Sequence, residues 1–147
     1  MNYKEESIDH HLRATWQSVA KMYNEEASKF DSTMATGFAL LNIDLIEGTP
    51  STALGPQMGM EATSLSRILK AMEEKKLIFR EQNPHDGRSV LVKLTDFGKE
   101  KREISKSIVI QFNRKIKEQI TDDQLRNFFE VTKKINQLIS EKLIYNS

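Results

Sequence analysis

Between residues 52 and 94 the hydrophobic period changes once, from that of a helix to that of a strand, and this change restricts the fold more than any other stretch. Leu65, Ile68, Leu69 and Met72 recur at i, i+3, i+4 and i+7, which places four apolar side chains on one face of an α-helix. Gly59-Met60 separates this helix from a shorter helical stretch that Ser51 can cap. Glycine suits the left-handed turn that closes such a helix. Beyond Lys75, residues 77–81 and the β-branched run 89–94 read as strands. Asn83-Pro84-His85-Asp86-Gly87-Arg88 joins them, a loop of turn formers longer than a two-residue hairpin.

Short helix, tight turn, longer helix and hairpin is the order of a winged helix-turn-helix, which reads double-stranded DNA. At about 100° per residue, the face opposite the apolar stripe carries Thr63, Arg67, Lys70 and Glu74, with Ser64 and Ser66 beside it. Short hydroxylated and basic side chains near the start of a reading helix suit base edges and phosphates. Arg88 stands where the loop leaves its tip. Glu61 occupies a slot where Ser, Thr or Asp would cap better; its charge suits the helix dipole but not a nearby phosphate. Pro56 removes a backbone donor and disfavours a helical Gly55, so the shorter helix is expected to be short, bent or partly 3₁₀.

The flanks read as helix. Ile8, Leu12, Trp16, Val19, Tyr23, Ala27 and Phe30 form one stripe over about six turns. Met34, Phe38, Leu41 and Leu45 form a second, which ends near Gly48-Thr49-Pro50. Thr95 can cap a long helix with Phe97, Lys101 (through its stem), Ile104, Ile108, Phe112, Ile116 and Ile120 down one side. Thr121-Asp122-Asp123 marks a break and a fresh cap; Leu125, Phe128, Phe129, Ile135, Leu138, Ile139 and Leu143 continue beyond it. The fold class is therefore mainly α with a small β-hairpin wing. One domain is expected over 1–147: a winged helix-turn-helix lobe over 34–99, with dimerisation helices over 1–33 and 100–147. The terminal stripes hold more apolar surface than one small lobe can cover, so a homodimer is expected. Trp16, Tyr23, Met34 and Phe38 are candidates to line an effector pocket, against the simpler reading of aromatics at helical spacing as plain core.

Charge sharpens this reading. The net charge is only +1, but residues 61–118 hold 14 Lys/Arg against 9 Asp/Glu, whereas residues 1–60 hold 4 against 8. The positive excess falls on the segment with the reading helix and wing. Cysteine is absent, which excludes disulfides, thiolate metal sites and cysteine redox sensing. His10 and His11 would point about 100° apart on a helix and His85 is remote, so neither a metal nor another cofactor is expected. The start, MNYKEESIDHH, is polar, and no apolar run approaches the ~18 residues of a membrane span, so no membrane association and a cytoplasmic location are expected. No G-x-S-x-G, P-loop, H-E-x-x-H or dinucleotide fingerprint occurs, so an enzyme is not expected. The alternative is a winged helix used only for protein contact; Arg67, Lys70 and Arg88 count against it.

Residues 60–99, above all Asn83 to Gly98, resemble the wing signature of the multiple antibiotic resistance regulator (MarR) family, roughly D-x-x-D-x-R, a strand, then L-T-x-x-G. The order and length of the helices resemble that family over nearly the whole chain. Asn83 replaces the usual first Asp, and Pro56 inside the first helix of the motif is a second departure. The resemblance implies a triangular homodimer, with first and last helices at the apex and two winged helices in successive major grooves of an inverted-repeat operator. It implies that Arg88 enters a minor groove and that Asp86 pairs with it or a neighbour and holds the loop. Thr63, Ser64, Ser66, Arg67, Lys70, Asp86 and Arg88 are then the expected DNA-binding set. It further implies a repressor released by a small aromatic or anionic ligand.

Overall fold

A computed structural model describes residues 1–145. Along the chain it forms α1 (Tyr3–Glu6), α2 (Ile8–Ser28), α3 (Met34–Asn42), β1 (Thr49–Pro50), α4 (Ser51–Met58) and α5 (Ala62–Glu74). Strands β2 (Ile78–Gln82) and β3 (Val90–Leu94) and helices α6 (Asp96–Gln119) and α7 (Asp122–Ser140) follow. The chain divides into two compact units, Met1–Ile108 and Val109–Ser147, with the boundary inside α6.

In the first unit α2 and α3 start on hydroxyl caps, whereas α4 starts after Pro50 with no side-chain cap, so Ser51 is its first residue and not the expected cap. Ser7 Oγ accepts from the His10 amide at 3.1 Å and begins α2; Thr33 Oγ1 accepts from the Thr36 amide at 3.2 Å and begins α3. The one-turn α1 has no counterpart in the sequence reading. It is tied down by Tyr3, whose hydroxyl donates to Asp9 at 2.9 Å and accepts from Arg13 at 2.8 Å. Hydrogen bonds from Ser7 and then Tyr3 hold the Asp9 carboxyl below its usual range.

Gly59 ends α4 in the left-handed region (φ 65°), and the Met60 amide reaches back to the Gly55 carbonyl at 2.9 Å. Helix α4 is short, as expected, but α-helical throughout rather than 3₁₀. Pro56 is the sixth residue of this eight-residue helix and has no amide to give to the Thr52 carbonyl.

The sheet has three strands, not the two of a simple hairpin, in the order β1-β3-β2. Thr49 and Pro50, expected only to punctuate the chain, pair antiparallel with Val92 and Leu91. Asp44 builds the approach: its carboxylate accepts from the amides of Glu47 at 2.8 Å and Ile46 at 3.0 Å, and these bonds lower its pKa. Its own amide donates to Thr49 Oγ1 at 2.9 Å. An edge strand tolerates Pro50, which has no amide to give. Strands β2 and β3 run antiparallel from Ile78↔Leu94 to Gln82↔Val90. Beneath them lies one core of Ala39, Leu40, Ile43, Leu54, Leu65, Leu69, Met72, Leu77, Ile78, Val92 and Leu94.

The second unit holds the end of α6 and all of α7. The expected cap is a full capping box: Thr121 Oγ1 accepts from the Gln124 amide at 3.1 Å, and Gln124 Oε1 accepts from the Thr121 amide at 3.0 Å. No residue of α7 is buried.

Candidate nucleic-acid interface

Helix α5 is two-faced because its sequence is. Leu65, Leu69 and Met72 are buried in the core, and Ile68 packs partly buried against it. That anchoring turns Thr63, Ser64, Ser66, Arg67 and Lys70 to the surface, where all five are exposed. Among the described residues none of these five side chains has a hydrogen-bond or ion-pair partner, so each can bond a ligand without breaking an existing contact.

The wing is tied by short polar bonds at its base. Asn83 Oδ1 accepts from the His85 amide at 3.0 Å, and Asn83 Nδ2 donates to Ser89 Oγ at 2.9 Å. The second bond needs an amide donor, which the usual carboxylate at this position lacks. Asp86 Oδ1 accepts from the Arg88 backbone amide at 3.0 Å. The carboxylate thus steadies the loop through the main chain, and the exposed Arg88 guanidinium has no ion pair among the described residues. Lys93 pairs with Glu81 across the two strands, and Arg80 reaches Glu73 of α5 at 3.5 Å. These pairs tie the root of the wing together and to the reading helix.

The Leu94-Thr95-Asp96-Phe97-Gly98 motif has a mechanical role here. Thr95 Oγ1 donates to the Lys76 carbonyl at 2.6 Å and accepts from the Gly98 amide at 2.9 Å, so it caps α6 while gripping the turn after α5. A Cβ on Gly98 would land on the Leu77 carbonyl, so only glycine fits this close approach. The motif holds the start of α6, the end of α5 and the start of β2 in one register.

None of the four effector-pocket candidates lines the cleft of about 320 Å³ in the first unit. Tyr23 is buried and meets Phe38 edge to face, with ring centroids 5.6 Å apart; burial pushes its hydroxyl pKa up. Trp16 is 53% exposed, and Met34 is partly buried. That cleft is lined by Ala27, Phe30, Leu40, Leu77, Phe97, Ile104 and Ile108, with Lys75 and Lys101 among its polar groups. Lys75 follows α5 directly, and Lys101 Nζ sits 5.4 Å from the centre of the Phe97 ring. Sequence reasoning passes over both lysines as cleft residues, because only the tertiary fold brings residues 27–40, 75–77 and 97–108 together. Among the described residues no group of His, Cys, Asp and Glu could hold a metal, and no helix is long and apolar enough to cross a membrane.

Comparison with known proteins adds four likenesses. Residues 33–90 match the family model described as MarR family. The HTH-type transcriptional regulator SarZ of Staphylococcus saprophyticus is 29% identical over 117 residues, covering 76% of this chain and 80% of SarZ. The crystal structure of a mutant MarR from E. coli complexed with operator DNA superimposes with a TM-score of 0.79 at 25% identity, over 92% of this chain and 98% of that one. CouR from Rhodococcus jostii RHA1, bound to p-coumaroyl-CoA, superimposes with a TM-score of 0.81 at 19% identity, over 92% of this chain and 95% of that one.

Proposed function

We propose that this chain is a MarR-family transcriptional regulator, a reading supported by the family match over residues 33–90 and the likeness to SarZ, and that it acts as a homodimeric repressor on an inverted-repeat operator. The observation that carries the reading is the unpaired polar face of α5 beside an unpaired wing arginine. In this reading Thr63, Ser64, Ser66, Arg67 and Lys70 meet base edges and phosphates in the major groove. Arg88 enters the adjoining minor groove, and Asp86 keeps the loop in place for it. Residues 34–99 are the reading lobe; 1–33 and 100–147 supply the dimer contacts. The argument for pairing is apolar exposure in each unit: Ile8, Leu12 and Trp16 on α2, and Phe128, Phe129 and Ile139 on α7. A chromosomal operator places the work in the cytoplasm.

The effector is proposed to be a small aromatic or anionic molecule in the cleft between Phe30, Phe97 and Lys101. Apolar walls would take its body and Lys75 or Lys101 its charge. A ligand there would touch the C-terminal end of the reading helix. It can act only by binding one arrangement of that helix more tightly than another.

The test is a gel shift on the DNA upstream of the chain's own coding sequence, with Arg67→Ala and Arg88→Ala as controls of unchanged fold. Binding that both changes weaken supports the reading. Equal binding by parent and both variants would show that α5 and the wing do not carry it, and no shift by the parent would leave the protein-contact alternative in its place.

A further inference from the structure

Glu61 is the residue of the reading face that capping and packing leave without a role. It stands directly before α5 with extended backbone (φ −72°, ψ 152°), the position at which Ser, Thr, Asp or Asn would satisfy a free amide. Its side chain makes no cap hydrogen bond. It is exposed, and among the described residues its carboxylate has neither an ion pair nor a hydrogen-bond donor. The recess of about 470 Å³ beside it is walled by residues such as Gly55, Pro56, Met60 and Leu65 and contains no Lys, Arg or His that could pair with it.

An unpaired carboxylate is a liability at the end of a helix that leads into a major groove, because phosphates repel it. It becomes useful if the groove offers it a donor. An ionised carboxylate only accepts hydrogen bonds. In the major groove guanine presents O6 and N7, and thymine presents O4, all acceptors; adenine sets its N6 donor beside the N7 acceptor, which a carboxylate opposes; cytosine presents the N4 amino donor without an acceptor beside it, and a Glu side chain pairs with it.

We propose that Glu61 reads one cytosine in each half-site by accepting a hydrogen bond from its N4 amino group, and that it rejects guanine and thymine there by placing acceptor against acceptor. This rests on the proposed docking of α5 in the major groove and adds the base class that the residue at its start selects. Glu61 then sets specificity and contributes little to affinity, since its charge opposes every phosphate nearby. Lys70, by contrast, attracts DNA of any sequence through the same groove.

The experiment is binding of the full chain to an operator library with every base pair at each position, for the parent, Glu61→Ala and Glu61→Gln. A duplex with N4-methylcytosine, which keeps the pairing N–H and puts a methyl group in place of the groove-facing one, is the chemical probe. Since Glu61 is exposed and makes no side-chain bond, both variants are expected to melt like the parent. The parent should favour cytosine over guanine or thymine by roughly tenfold at one position per half-site, and N4-methylation there should remove that advantage. Glu61→Ala should bind non-specific DNA more tightly and lose the preference; Glu61→Gln should move it towards adenine. If both variants tighten binding equally on all four bases, or leave every preference unchanged, Glu61 is not a base reader. If the parent itself shows no sequence preference, the docking of α5 fails too, and that failure is distinct because Arg67→Ala would then change no preference either.

Discussion

The winged lobe and the C-terminal unit use similar sequence patterns to opposite ends. Both carry apolar residues at helical spacing. In the lobe, Leu65, Leu69 and Met72 of α5 disappear into a core that α3, α4 and the sheet complete within the same chain. In α7, Phe128, Phe129, Val131 and Ile139 remain 56–59% exposed, and no residue of the helix is buried. Burying a side chain of this size contributes about 1.5–3 kcal/mol, and the C-terminal unit leaves most of that unclaimed. The lobe is a module that closes on itself. Helix α7 keeps its apolar stripe on the surface.

The strongest way to break this contrast is at the lobe core. Leu69→Ala should remove about 2–5 kcal/mol of unfolding free energy, measured by urea titration, because the cavity has rigid neighbours on all sides. A loss below about 1 kcal/mol would mean that the lobe does not depend on its own core. Next comes the seam. Phe128→Ser combined with Phe129→Ser should yield a monomer at micromolar concentration and reduce operator affinity by about a hundredfold, as the second lobe is lost. Amide-exchange protection in α5 and β3 should stay as in the parent; if the lobe unfolds with the seam, the two regions are not separable.

Smaller effects sharpen the picture of the lobe. Arg67→Ala should cost about 1–3 kcal/mol and relax preference at one position, whereas Arg88→Ala should weaken binding to all sequences and reduce the salt slope by about one. Two-salt titrations separate them, and identical behaviour would contradict the division between helix and wing. The smallest effect is at Asp44. Its carboxyl is held below the usual range by amides of Glu47 and Ile46, so the bonds stabilise the fold above the ordinary carboxylate value. That contribution is lost as pH falls through the lowered value. Asp44→Asn should flatten the acid limb of the stability profile, and an unchanged acid limb would show that this turn is uncoupled from folding.

Much of the lobe is legible in the sequence because its signals are local. The i, i+3, i+4, i+7 spacing identifies the buried face of α5; Gly59 identifies the left-handed end of α4; Thr121 identifies the start of α7. What escapes depends on distant partners. Thr49 and Pro50 become a strand only because Val92 and Leu91 offer an edge. The demand for glycine at 98 comes from the carbonyl of Leu77, far back along the chain. The cleft with Lys75 and Lys101 escapes for the same reason, since no periodicity marks residues that meet only after folding. At the interface, residue type and spacing on α5 pick out the exposed face. That Asp86 bonds the Arg88 amide and leaves the guanidinium unpaired is visible only in the folded chain.

The central claim is that two copies of a self-contained reading lobe act on one operator. Hydroxyl-radical footprinting of the full chain on the DNA upstream of its own coding sequence tests it most directly. The account expects two protected half-sites in inverted orientation with centres about 10 bp apart, each flanked by minor-groove protection that Arg88→Ala removes. A single isolated half-site, or two half-sites in direct repeat, would contradict it.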